Sequence, residues 1–147
     1  MHKKTMNYRE RIQRDGRAAN PFFCLMGIDI VSVGDGKAEL AMKVRPDMHN
    51  GVGWLQGGML VALADEAMAL AVYTQLADGE GIATISESTS FLHGVRDGSI
   101  IAEGRVIRKG RRVAFCEAEV WADNGGERSL LSRTSAAFTV TKETKQP

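Results

Sequence analysis

The chain has little of what marks several protein classes. Only two cysteines, Cys24 and Cys116, occur in 147 residues, and no Cys-x-x-Cys is present. That excludes a disulfide scaffold and a cysteine-based zinc or redox motif. The three histidines, His2, His49 and His93, show no metal-ligand spacing. Charge of one sign is also missing, since the formal net charge is +1. A nearly neutral chain offers no global field for nucleic acid or an anionic membrane. The opening residues are basic and polar, without the apolar stretch of a secretory signal. With free cysteines, this predicts a cytoplasmic protein. The longest apolar run, residues 59–77, carries Asp65 and Glu66 near its middle. Each acid there costs about 2.5–3.5 kcal/mol in a bilayer. The run therefore reads as a buried helix, not a membrane span.

What is present suits one globular domain over residues 1–147: 44% apolar and 25% charged residues, with no internal repeat or linker. Residues 1–20 read as a charged helix or arm, broken at Asn20-Pro21. Residues 22–25 form a small apolar cluster. Two strands are predicted over 27–33 and 37–45, joined by the hairpin signal Asp35-Gly36. In the second, Ala38, Leu40, Met42 and Val44 alternate with charges, the mark of a half-buried strand. Residues 46–55 read as a loop. The alanine-, leucine- and methionine-rich run after Gly57-Gly58 predicts a helix, apolar almost all round and hence enclosed. Four strands follow, near 82–92, 99–108, 112–123 and 129–140. Their separators are Asp97-Gly98, Lys109-Gly110 and Asn124-Gly125-Gly126. Short turns predict a four-strand antiparallel meander. The tail, residues 141–147, reads as frayed. The expected class is α+β, an antiparallel sheet wrapped around one long central helix.

Asp65-Glu66 is the chemical anomaly. Helical neighbours three and four residues away are apolar, and no basic residue lies between Gly51 and Leu92. Burial there would raise a carboxyl pKa and suit it to base or nucleophile work. Gly57-Gly58 marks a helix start, where unpaired N–H groups can hold an oxyanion. Gly57 and Asp65 are about 12 Å apart along one helix, too far to reach one carbonyl. Two antiparallel copies across a two-fold axis would bring Gly57 of one to Asp65 of the other.

The segment Asn50-Gly51-Val52-Gly53-Trp54-Leu55-Gln56-Gly57-Gly58, followed six residues later by Asp65, resembles the Asn-x-x-Gly-x-x-His-Gly-Gly-x6-Asp signature of hotdog-fold acyl-CoA thioesterases. The resemblance is greatest to the PaaI-like and 4-hydroxybenzoyl-CoA thioesterase group. It covers residues 22–140 and implies a hotdog fold and hydrolysis of an acyl-coenzyme A to acid and thiol. It makes Asp65 nucleophile or general base, Gly57 the oxyanion donor and Asn50 a positioning residue. Gly58 opens the helix beside the substrate, and Thr84 or Ser86 on the next strand assists. Gln56 replaces the family's histidine; it can hydrogen-bond but cannot carry charge. His93 and Arg96 fall where the family contacts the pantetheine or phosphate arm. Arg108, Lys109 and Arg111 span a hairpin turn suited to the coenzyme A nucleotide. The resemblance implies no metal or other cofactor, and a homodimer or tetramer with sites across the interface. Two rival functions remain open: a hotdog enoyl- or hydroxyacyl-CoA hydratase using His49, and a non-catalytic acyl-CoA binding module.

Overall fold

The computed structural model describes residues 5–142. Helix α1 (Tyr8–Asp15) starts at a reciprocal cap: Glu10 N–H donates to Asn7 Oδ1 at 2.8 Å, and Asn7 N–H to Glu10 Oε2 at 2.9 Å. A short 3-10 turn (Gly16–Ala19) leads to α2 (Pro21–Met26). Asn20-Pro21 ends one helical stretch and starts the next. Asn20 Oδ1 accepts from Phe22 and Phe23 N–H, and Pro21 takes the first helical position, where no N–H is needed. The apolar cluster at 22–25 is thus a helix whose Phe23 is fully buried.

Six strands form one antiparallel sheet: β1 (Ile28–Gly34), β2 (Lys37–Lys43), β3 (Glu80–Phe91), β4 (Ser99–Lys109), β5 (Val113–Asn124) and β6 (Glu127–Lys142). All begin and end near their expected positions. Asp35 and Gly36 both adopt positive φ, 51° and 72°, as the two-residue hairpin β1–β2 requires. Residues 141–142, expected as frayed tail, belong to β6, and residues 143–147 lie outside the described residues.

The strand order is β1-β2-β4-β5-β6-β3. This corrects the four-strand meander: only β4-β5-β6 follow one another, while β3 pairs with β6 at the far edge. Turn signals report that chain direction reverses; they do not report which strand lies alongside.

Helix α3 (Gly57–Tyr73) packs across the concave face. Small residues let it approach closely. A Cβ on Gly104 of β4 would lie 2.6 Å from the Ala67 backbone carbon. Leu63, Ala64, Ala67 and Met68 are buried against β-strand residues Leu40, Ile100, Ala102, Cys116 and Ala118. The expectation of an enclosed helix holds on that side only. Val61, Ala62, Asp65, Glu66 and Ala69 are half-buried, because within one chain nothing covers that stripe fully.

Candidate active site

The loop before α3 is built by Asn50. Its Oδ1 accepts from Val52 N–H at 3.0 Å and Trp54 N–H at 3.1 Å, closing a tight turn. The Asn50 carboxamide oxygen is thereby engaged in shaping the loop. Leu55 N–H then bonds the Val95 carbonyl at 2.8 Å, which ties this loop to the segment after β3. Gln56 caps α3 by position but makes no side-chain capping bond. Its amide oxygen folds over Gly58, where a Cβ would lie 2.6 Å from it. The first N–H groups of α3 consequently lack a side-chain cap and carry the positive end of the helix dipole.

A cavity of about 260 Å³ opens at this helix end, lined by Leu55, Gly57, Leu60, Phe91, His93 and Val95 among others. The Phe91 ring stands against Gly57, 3.1 Å from where a Cβ would be. Glycine here leaves the backbone open beside an apolar wall. A larger cavity of about 320 Å³ lies elsewhere, near Arg17, Gly27 and Arg45. It touches none of the candidate reactive groups, so the smaller one is the relevant space.

Asp65 lies two turns further along α3 and faces the inner side of β3. Thr84 Oγ1 donates to Asp65 Oδ1 at 3.0 Å. Thr84 and Ser86 would share a face in a regular strand. A bulge between them, at Ile85, breaks the alternation. Thr84 stands opposite buried Phe138 on the inner face, and Glu87 opposite Ala136 on that same face. Ser86 pairs with Ala137 and is turned to the outer face, away from Asp65. The Glu87 carboxyl takes the place that Ser86 would have had and hydrogen-bonds Asp65. Its desolvation, then the adjacent Asp65 charge, push the Glu87 pKa up to about 7.

Glu66 points to the other side. It meets Asn20, whose Nδ2 also donates to Tyr8 Oη at 2.8 Å. Tyr8 packs edge-on against Tyr73 with ring centroids 5.0 Å apart. Burial, followed by the Asp65 charge, raises the Glu66 pKa to about 7, while the Asn20 bond opposes the rise. Asp65 and Glu66 are thus separated by function of place: one faces the open strand, the other anchors the N-terminal helices.

His93 lines the Gly57 cavity, its Nδ1 at 3.0 Å from the Leu130 carbonyl. Arg96 lies nearby, its guanidinium carbon 4.0 Å from the Trp54 ring centroid. Trp54 in turn covers Gly94, where a Cβ would approach it to 2.9 Å. His49 Nε2 is 2.6 Å from the Arg96 carbonyl, bound within the loop. Arg108, Lys109 and Arg111 sit at the β4–β5 hairpin tip, at the C-terminal end of α3. The neighbouring Val106 bonds Gly36, and Gly36 bonds Thr74 just past that end. One chain therefore separates this basic tip from its own Gly57 cavity by the length of the helix. Glu87 and Phe91 are site residues that sequence reading did not single out. The family resemblance pointed to Ser86 as a polar residue on this strand, and the bulge puts Glu87 on the inner face in its place. Among the described residues, no cluster of histidine, cysteine and acidic side chains has the arrangement of a metal site.

A long helix laid across a six-stranded antiparallel sheet, with a glycine-opened helix start and a mid-helix carboxylate, is the hotdog arrangement. A thioesterase family protein from Silicibacter pomeroyi superposes with a TM-score of 0.83 at 21% identity, over 93% of this chain and 100% of that one. Residues 53–129 match the thioesterase superfamily model, and the chain belongs to that family. The acyl-coenzyme A thioesterase PaaI of Escherichia coli is 32% identical over 65% of this chain and 66% of its own. The proofreading thioesterase EntH of Cronobacter turicensis is 30% identical over 76% of this chain and 81% of its own. The protein is a thioester hydrolase of the PaaI-like type.

Proposed function

We propose that the substrate is an acyl-coenzyme A and that the working site forms between two antiparallel copies of the chain. The carrying observation is that Asp65, held by Thr84, faces the open edge strand β3, while the Gly57 helix end and its cavity lie about 12 Å away. Bringing Gly57 of one subunit to Asp65 of the partner subunit unites carboxylate and N–H donor around one carbonyl. The same shift sets the partner's hairpin of Arg108, Lys109 and Arg111 beyond the Gly57 end, beside His93 and Arg96. Guanidinium and ammonium groups there suit the phosphates at the far end of coenzyme A.

Two further features support association. Strand β3 is a twelve-residue edge with Ile85 57% and Phe91 57% exposed, an open template for strand pairing. The half-buried stripe of Val61, Ala62 and Ala69 on α3 suits close packing against another helix. Asp65 attacks the thioester carbonyl or activates water, and the Gly57 N–H stabilises the oxyanion. Gln56 and Asn50 hold the loop that presents Gly57, and Gly58 keeps the helix start accessible. This chemistry calls on no metal or other cofactor. The free thiols of Cys24 and Cys116 suit a reducing cytoplasm. Among the described residues no helix is long and apolar enough to cross a membrane. The loop hydrogen bond of His49 to the Arg96 carbonyl keeps the histidine on that side of the loop, which argues against a histidine-driven hydratase.

The test is thiol release from short, medium, long and aryl acyl-coenzyme A substrates, by wild type and Asp65→Asn. Turnover that falls 10²- to 10⁴-fold in the variant is expected. Full activity in Asp65→Asn ends this reading, and binding without thiol release in the wild type makes the chain a binding module.

A further inference from the structure

Resting on that reading of Asp65, we infer that Glu87 is the second catalytic carboxyl group, the acid that protonates the departing thiol. The bulge at Ile85 turns Glu87 inward beside Asp65, where the two carboxyl groups share a hydrogen bond. Two adjacent carboxylates are ionised together only at a cost, so below about pH 7 one proton stays in the pair. Among the described residues, no cation stands beside the pair to offset it. On α3 the ionisable neighbours are Asp65 and Glu66. On β3 the inner-face neighbours are Thr84 and Thr89, and on β6 they are Thr134, Ala136 and Phe138. Thr84 Oγ1 donates to Asp65 Oδ1, so Asp65 acts as the acceptor in that contact. That leaves the proton on Glu87, whose pKa of about 7 follows from desolvation and the Asp65 charge.

The pair closes a proton cycle. Water forms a C–O bond to the thioester carbonyl carbon and gives a proton to the Asp65 carboxylate. The C–S bond then breaks, its electron pair stays on sulfur, and the sulfur takes the Glu87 proton. Free acid and thiol leave, and the proton on Asp65 passes along the shared hydrogen bond to Glu87. If Asp65 instead attacks the carbonyl, Glu87 still protonates the sulfur. Its carboxylate then takes a proton from the water that opens the anhydride, and Asp65 leaves ionised. A carboxyl bonded to Asp65 lies within about 3 Å of it, and Asp65 within about 3 Å of the reacting carbon. The sulfur is one bond further.

Leaving-group dependence tests this, because coenzyme A needs an acid and 4-nitrothiophenol does not. Glu87→Gln, Glu87→Asp and Asp65→Asn are compared with wild type on one acyl group carried by each thiol, with association checked by sedimentation. Expected is a fall of at least about thirtyfold in kcat for the coenzyme A ester in Glu87→Gln, but under threefold for the nitrothiophenyl ester. The alkaline decline of wild-type kcat near pH 7 disappears in Glu87→Gln. Glu87→Asp, which keeps an acid, retains similar turnover ratios for the two thiols. Unchanged kcat in Glu87→Gln, or equal loss on both esters, overturns the acid role of Glu87. Asp65→Asn keeping its activity would instead overturn the site itself.

Discussion

Helix α3 is flanked on one side by the N-terminal helices and on the other by edge strand β3, and the two flanks use adjacent acids oppositely. On the N-terminal side, Glu66 meets Asn20, and Asn20 meets Tyr8, so the acid is closed off and structural. On the β3 side, Asp65 meets Thr84 and Glu87 at a strand edge that one chain leaves bare. Consecutive helical residues point about 100° apart. One helix can therefore serve a docking contact and a reaction with neighbouring side chains. In the proposed site, the carboxylate that serves the chemistry is the one facing the open edge strand.

The strongest way to break this comparison is to neutralise each acid in turn. Asp65→Asn lowers kcat 10²- to 10⁴-fold with an unchanged circular-dichroism melt, while Glu66→Gln stays within about threefold of wild type. Equal losses in the two variants would show that the flanks are not distinct. Next in size is the open edge. Ile85→Asp places a charge on exposed β3 and weakens self-association at least tenfold in sedimentation equilibrium. Turnover per chain then falls with dilution, because the proposed site needs two subunits.

The covered flank predicts a stability effect. The folded-state pKa of Glu66 lies above its ordinary 4.5, at about 7, so the folded state binds its proton more tightly than the unfolded state. Stability attributable to Glu66 is fully present below pH 4.5 and declines as pH rises through about 7. Glu66→Gln removes that decline and stabilises the protein at pH 8 by up to about 3 kcal/mol, measured by urea unfolding across pH. A variant that follows the wild-type pH dependence would contradict the burial of Glu66 against Asn20. The smallest effect concerns the Asp65 orientation. Thr84→Val lowers kcat about tenfold and leaves KM within twofold, the scale of one hydrogen bond to a charged group.

Much of the candidate site was legible before the fold. The helix and the Asp65-Glu66 anomaly on it follow from local chemistry, and the Asn50 to Gly58 segment and the choice of Asp65 follow from the family signature. The turn at Asp35-Gly36 and the alternation of β2 also follow from local chemistry. Two readings required correction. Ser86 gave way to Glu87 because a one-residue bulge reverses every side chain beyond it, and no residue type announces that bulge. The meander gave way to a β3 that crosses to β6. The break read at Asn20-Pro21 holds, and the apolar cluster after it is itself a short helix.

By itself, the sequence determined the elements and their apolar faces, because these depend on residues within a few positions of one another. It also marked Asp65-Glu66 as a pair of acids out of place on an apolar helix. Tertiary structure alone decided that Thr84 and Glu87 meet Asp65, that Glu66 lies under Asn20, and that Gly57 borders a cavity with Phe91. Each of those contacts joins segments distant in the chain. They depend on strand order, register and the close approach of α3 to Gly104, which local propensity does not encode.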